Sequence, residues 1–288
     1  MESLESLKLH SIDIAGHYAL SDREDFQKYA ERILNCANRV QLKVDFSTQK
    51  LDSWLAHIEQ CWWCRVPLCP LCLRAKVAKW RVKFFKGLTR LNLENPGLNW
   101  ALLTFTIRNC HVDNLRQTIS QMADAWHRLK VSRLGITGYS RAFEITRNFK
   151  TGEAHPHYHV LACSYFSFNR SMFDWSRLWG QALQVSYQPI CDGRRVYDFQ
   201  GSLCELVKYT NKPSDLSADA SWLYSISDQL YRSRSITTGG LIARYVSQRV
   251  LNQIDKEMRS GDECSQQGRM AYADWDYQNE VYDIDFVK

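Results

Sequence analysis

Ala154-His155-Pro156-His157-Tyr158-His159-Val160-Leu161-Ala162 places imidazoles at alternate positions where an apolar run begins. A strand points residues i and i+2 to the same face, so His157 and His159 offer two ring nitrogens to one point in space. That is a grip for a divalent metal ion, although two histidines near a strand end also occur without one. His155 and His157 form an alternative pair, with Pro156 an unusual strand residue between them. We favour His157 and His159 because Val160-Leu161-Ala162 continues their strand.

Just upstream, Arg141-Ala142-Phe143-Glu144-Ile145-Thr146 reads as a second strand, reached through a short polar turn containing Thr151-Gly152. The connection is too short for a crossover helix, so the two strands should pair antiparallel. Glu144 sits in an otherwise apolar segment, where a carboxylate without a partner is costly. A hard divalent ion held by two imidazoles takes a carboxylate as third ligand and keeps positions open for substrate. A structural salt bridge is the competing explanation.

Around this pair the periodicity predicts a strand over 100–107, helices over 113–132 and 169–183, and a hairpin at Asp192-Gly193. A helix over 202–212 stops before Pro213, and two amphipathic segments follow near 219–232 and 241–259. Before the strands, helices are expected over 21–41, with Ser21 and Glu24 as a capping box, over 51–60, and from Leu73 to Leu91. Pro96-Gly97 closes that region. The implied divisions are an N-terminal helical region (1–97), a core (98–215), and C-terminal helices with an acidic tail (216–288).

Cys61, Cys64, Cys69 and Cys72 form two Cys-x-x-Cys pairs separated by four residues, enough for one tetrahedral structural Zn²⁺. His57 in place of one thiolate is a variant of the same site. The helix beyond carries Arg74, Lys79, Lys83 and Lys86, a DNA contact or a solvated face. With 288 residues the chain can bury a large core, and its ten cysteines need not serve as staples. The N-terminus shows no signal-peptide pattern and the longest strongly apolar run is too short to span a bilayer, so a soluble protein of the reducing cytoplasm is expected. The net charge is +6, yet residues 262–288 hold seven carboxylates against Arg269 and Lys288, which is −5 and leaves +11 on the rest. A basic body of this kind suits a nucleic acid. The tail is expected to be disordered, with docking of a partner or competition with DNA for the basic body as the other roles.

On the helix over 202–212, Glu205, Tyr209 and Lys212 share a face, with Lys208 on the adjoining turn. Tyrosine is a poor nucleophile unless a cation stabilises its oxyanion, which Lys208, Lys212 or a metal would do. Read alone, Tyr209 is an ordinary core or rim residue and Glu205 a helix-cap partner of Ser202.

The order Leu103-Thr104-Phe105-Thr106-Ile107-Arg108-Asn109, then His157-Tyr158-His159, then Tyr209 on a helix resembles the three motifs of the HUH endonuclease superfamily. The likeness is greatest to plasmid rolling-circle replication initiators with one tyrosine. It extends over roughly 61–212: in one branch a Cys-Pro-x-Cys segment precedes the core, as Cys69-Pro70-Leu71-Cys72 does, and a glutamate lies four residues before the tyrosine, as Glu205 does. The resemblance implies an α+β fold with a central antiparallel sheet, the metal site on one face and helices on the other. It further implies site-specific nicking of single-stranded or hairpin origin DNA by Tyr209, through a 5′-phosphotyrosyl intermediate. Mg²⁺ or Mn²⁺ would be held by His157, His159 and Glu144, Glu205 would be the base of the closing step, and a host helicase is left open as partner. A transposase or relaxase of the same superfamily, and a non-catalytic zinc-stabilised nucleic-acid-binding protein, are the alternative functions.

Overall fold

Two antiparallel sheets organise the chain, and residues far apart in sequence close each of them. The computed structural model describes residues 3–45, 55–166, 174–197, 202, 206, 212–261 and 268–287. The described chain gathers into two units, one of 1–75, 213–224 and 259–288, the other of 76–212 and 225–258. Each unit is thus assembled from separate stretches of the chain.

In the first unit, helix α1 (Leu4–Ala19) packs on α2 (Glu24–Leu34) through Leu7, Ile14, Tyr18, Phe26 and Ile33, all essentially without solvent contact. The periodic Leu7, Ile14 and Tyr18 carried the signal for α1, which the sequence reading left unassigned. Helix α2 is shorter than the expected 21–41. Ser21 Oγ accepts from the Arg23 amide instead of forming a box with Glu24, and Ala37 adopts a positive φ of 55° that turns the chain into strand β1 (Arg39–Asp45). The segment expected as a helix over 51–60 supplies β2 (Leu55–Cys61), paired with β1.

The acidic tail is strand as well: β8 (Gly268–Asp276) pairs with β1, Val40 opposite Ala273, and β9 (Val281–Phe286) pairs with β8, giving the order β2-β1-β8-β9. The reason lies in parity. Ala271, Ala273 and Trp275 turn inward and are buried, while Tyr272, Asp274 and Asp276 alternate with them. Ser217, at the end of the short helix Pro213–Ser217, hydrogen-bonds His10 and His17 of α1, tying this distant segment to the N-terminal helices.

The second unit is built on a five-stranded sheet of order β6-β3-β5-β4-β7, with β3 Asn99–Thr106, β4 Gly138–Arg147, β5 Ala154–Ser164, β6 Cys191–Arg195 and β7 Ile236–Gly239. The fold is α+β with antiparallel sheets. β5 is central, paired antiparallel with both β3 and β4. Pro156 is tolerated there because β3 has run out, its last paired residue being Thr106 opposite His157. On one face Phe105 packs edge-on against Trp126 of α4 (Leu115–Leu129) and Trp175 of α5 (Trp175–Leu183). The other face is covered in part by α3 (Pro70–Glu94), whose Phe84, Leu88 and Leu91 meet Trp100, Ala142, Leu161 and Ile242. Helices therefore lie on both faces. α3 approaches the helix Gly240–Tyr245 so closely that a Cβ on Gly87 would lie 2.6 Å from the Tyr245 carbonyl oxygen.

Asp192-Gly193 does not turn a hairpin. It lies inside β6, opposite Thr104 and Leu103, and Gly193 is required by close approach: a Cβ there would sit 3.0 Å from Leu103 and 3.3 Å from the Trp175 indole nitrogen. No described helix is long and apolar enough to cross a membrane.

Candidate metal centres

The register of three strands assembles the first centre. Glu144 on β4 lies opposite His157 on β5, and Ala142 opposite His159, so strand parity puts the carboxylate and both imidazoles on one face. The Nε2 atoms of His159 and His157 lie 3.0 and 3.4 Å from the same Glu144 oxygen, Oε2. All three donor atoms fall within 4.8 Å of one another, and the side chains are 11–14% exposed, so the cluster is sheltered but reachable. Burial works to raise the Glu144 carboxyl, yet hydrogen bonds with His157 and His159 outweigh it and hold the group well below the usual carboxylate range.

Neighbours fix the imidazoles. His159 Nδ1 reaches Thr104 Oγ1 at 3.5 Å, and His157 Nδ1 faces the His155 carbonyl at 3.3 Å. Such contacts to the far ring nitrogen are what orient metal-binding histidines. The third imidazole, His155, is turned away: its Nδ1 lies 2.7 Å from Asn109 Oδ1, so the converging pair is His157 and His159. Two imidazoles and one carboxylate leave positions open, as a hard, catalytic ion requires.

The second centre lies in the first unit. It gathers Cys36, Cys64, Cys69 and Cys72, so the fourth sulfur of the quartet is Cys36 rather than the expected Cys61. Cys61 is the last residue of β2, committed to the ladder opposite Val40, and its Sγ contacts the Trp62 carbonyl while burial pushes the thiol up to about 11. Cys36 enters from the turn after α2, where the Ala37 amide donates to the Trp62 carbonyl and draws that turn against the knuckle. A partner 28 residues before Cys64 leaves no spacing signature.

The Cys36–Cys72 and Cys64–Cys72 sulfur separations are 3.7 and 3.6 Å. The edge of a tetrahedron with bonds of about 2.3 Å is about 3.8 Å, so the quartet has the size of a zinc–thiolate cage. Backbone amides of Cys64, Arg65 and Val66 donate to the sulfurs of Cys36, Cys72 and Cys64. Hydrogen bonds from the other three thiols hold Cys72 well below the usual thiol range.

Sequence reasoning also missed Lys8. This lysine has no solvent exposure, and its ammonium donates to the carbonyls of Leu34 and Cys36 and to Asn38 Oδ1, closing the C-terminal end of α2 beside the sulfurs. Burial lowers its pKa, opposed by the nearby cysteines, Cys36 foremost. The available signal was a lysine between Leu7 and Ser11 on the face of α1 that packs inward.

On α3, Lys79 is exposed, Lys83 lies 5.4 Å from the Trp80 ring, and Lys86 follows at helical spacing, with Val82 and Phe85 also exposed; Arg74 belongs to the first unit, and its Nη1 is buried. Tyr209, Glu205 and Lys208 lie outside the described residues, and Lys212 is exposed just before the helix Pro213–Ser217. Ser202 and Leu206 are helical, and Leu206 is buried with Ala142 and Leu161, on the sheet face that carries the triad.

The chain is 30% identical over 285 residues to a "Protein rep" of Bacillus amyloliquefaciens, covering 86% of this chain and 80% of that one. It is 34% identical over 179 residues to a "Protein rep" of Bacillus sp, covering 59% of this chain and 56% of the other. It is 31% identical over 201 residues to a "Protein rep" of Streptococcus pneumoniae serotype 2, covering 64% and 62%. No solved structure matches. The family model described as "Replication protein" matches residues 55–283, and the chain therefore belongs to the Rep_1 family of replication proteins, within the HUH class that its motif order resembles.

Proposed function

We propose that this replication protein initiates rolling-circle replication of a plasmid by nicking one strand of origin DNA through a covalent link to Tyr209. The observation that carries the reading is the convergence of Glu144, His157 and His159 on one sheltered, reachable point of a sheet face. Mg²⁺ or Mn²⁺ bound there would supply Lewis acidity at the scissile phosphate. Glu144, held ionised by its two histidine contacts, brings a full negative charge to that point, and Thr104 keeps the His159 ring oriented.

In the nicking step the Tyr209 phenolic oxygen bonds to phosphorus as the phosphorus–O3′ bond breaks. The products are a 5′-phosphotyrosyl link and a free 3′-OH able to prime synthesis, the phenolic proton being transferred to the departing oxygen through solvent. Lys208 and Lys212 favour the phenolate by their charge. Glu205 then takes a proton from water, or from another strand's 3′-OH, whose oxygen bonds to phosphorus as the phosphorus–Tyr209 oxygen bond breaks and the departing phenolate is reprotonated from solvent. Leu206, three residues before Tyr209 in the sequence, is buried with Ala142 and Leu161 on the sheet face that carries the triad, which supports this assignment. The basic, partly apolar stripe Lys79–Lys83–Lys86 on α3 suits a single strand. Zinc is the ion assigned to the cysteine quartet, with a structural role.

The test is incubation of the protein with origin-derived single-stranded DNA and Mn²⁺, followed by a denaturing gel. The parent should form a protein–DNA adduct, and Tyr209→Phe should bind DNA but form none. In Glu205→Gln the adduct should form at a near-normal rate and then persist. An adduct in Tyr209→Phe would overturn the nucleophile assignment.

A further inference from the structure

On the sheet face opposite the metal triad, a cavity of about 250 Å³ opens between α4, the strands β4 and β5, and the segment that leads into β7. Its apolar wall is formed by Ile119, Phe143 and Tyr158, and its polar side by Arg141, Arg234 and Thr237. No carboxylate among the described residues lines it. Asp124, on α4, is near enough to act on the Tyr158 hydroxyl but is exposed and outside the lining.

Arg141 is the unusual member. Its guanidinium stacks 4.4 Å from the Tyr158 ring centre and 5.3 Å from that of Trp126, and its Nε donates to Thr237 Oγ1 at 3.3 Å. Those contacts fix the plane of the fork, yet Nη1 is buried and has no hydrogen-bond partner among the described residues. A buried charged donor left unpaired is costly, and a planar fork held in place is the preferred receptor for a phosphate. A further cation closes on the same segment: Lys76 Nζ donates to Ser235 Oγ, two residues before Thr237. Two cations lining a cavity with one aromatic wall match an anionic ligand that carries a flat ring.

We infer that this cavity binds one nucleotide unit, its phosphate on Arg141 and Arg234 and its base against Phe143, Ile119 and the edge of Tyr158. The volume, just below the roughly 300–1,000 Å³ of ordinary small-molecule pockets, admits a single nucleotide and not a dinucleotide. Two sources share that chemistry, a free nucleotide and one residue of a DNA strand. Because Arg141 lies three residues from Glu144, and Tyr158 lies between His157 and His159, the same two strands serve both faces.

The test is calorimetric titration of the full chain without divalent ions, using dAMP, deoxyadenosine, and a 5′-phosphorylated tetra-deoxyadenylate as probes. dAMP should bind, deoxyadenosine should bind at least tenfold more weakly, and Arg141→Gln should weaken dAMP by at least tenfold. Arg234→Gln, at an exposed position where folding is not at stake, should weaken it several-fold. Tighter binding of the tetranucleotide, lost in both variants, assigns the site to a DNA strand. dAMP binding unmatched by the tetranucleotide assigns it to a free nucleotide. If neither probe binds the parent, if deoxyadenosine binds as well as dAMP, or if Arg234→Gln binds like the parent, the inference is wrong.

Discussion

The two donor clusters are built by opposite means. The cysteine quartet is a set of loop and helix-end residues brought together by turns, including Arg65 and Ala37 at positive φ, and it is complete in itself. The Glu144–His157–His159 triad is made of residues in the middle of paired strands, fixed by register, and as a candidate metal grip it offers only three donors. A closed set of four soft sulfurs suits holding a fold together, whereas an open set of nitrogen and oxygen donors on rigid strands suits chemistry. Removing a sulfur should therefore act on folding, and removing an imidazole on activity.

The largest effect is expected at the quartet. Elemental analysis should find one zinc per chain in the parent, and Cys36→Ser should lose it and melt the first unit, since a structural zinc is worth on the order of 10 kcal/mol. Zinc retained in Cys36→Ser would show that Cys36 is not a ligand. Next comes the triad: His157→Ala and His159→Ala should each lose Mn²⁺ binding and at least ~100-fold in nicking rate while the melting curve stays close to the parent's. A variant that unfolds, or one that still binds Mn²⁺, would erase the contrast between the two clusters.

Lys8 tests the boundary of the cysteine cluster. Lys8→Met abandons three acceptors, of which the Cys36 carbonyl is buried, and a loss of about 1–3 kcal/mol in denaturant unfolding is expected, with zinc still bound at saturating metal. An unchanged midpoint would make the buried ammonium irrelevant to the fold. The smallest effect belongs to Cys61→Ser, which should retain zinc and shift stability by less than about 1 kcal/mol. Loss of zinc there would restore the simple Cys-x-x-Cys pairing.

The triad was legible because strand parity is a local rule: His157, His159 and Glu144 are placed by counting twos, and the antiparallel pairing follows from a short turn. The quartet was legible only in part, because Cys64, Cys69 and Cys72 are local to one another but Cys36 is contributed by tertiary packing. The same limit explains β2, whose residues 55–61 become a strand by pairing with β1. The tail was misread for another reason. Its charge was counted as a sum, while the inward positions Ala271, Ala273 and Trp275 are all apolar.

The pairing of β1 with β8 joins residues about 230 positions apart, Val40 with Ala273. During synthesis at ~5–20 residues per second, β1 emerges and waits roughly 10–50 s for its neighbour to be made. Throughout that interval one edge of β1 has no β8 to cover it. The sheet strands of the second unit, by contrast, all lie between β1 and β8 in the chain, so that sheet is available to form first. The strands that carry the histidine triad are thus all synthesised before the first sheet can be completed, and a ribosome that stalls before residue 268 leaves a nascent chain with the first sheet open.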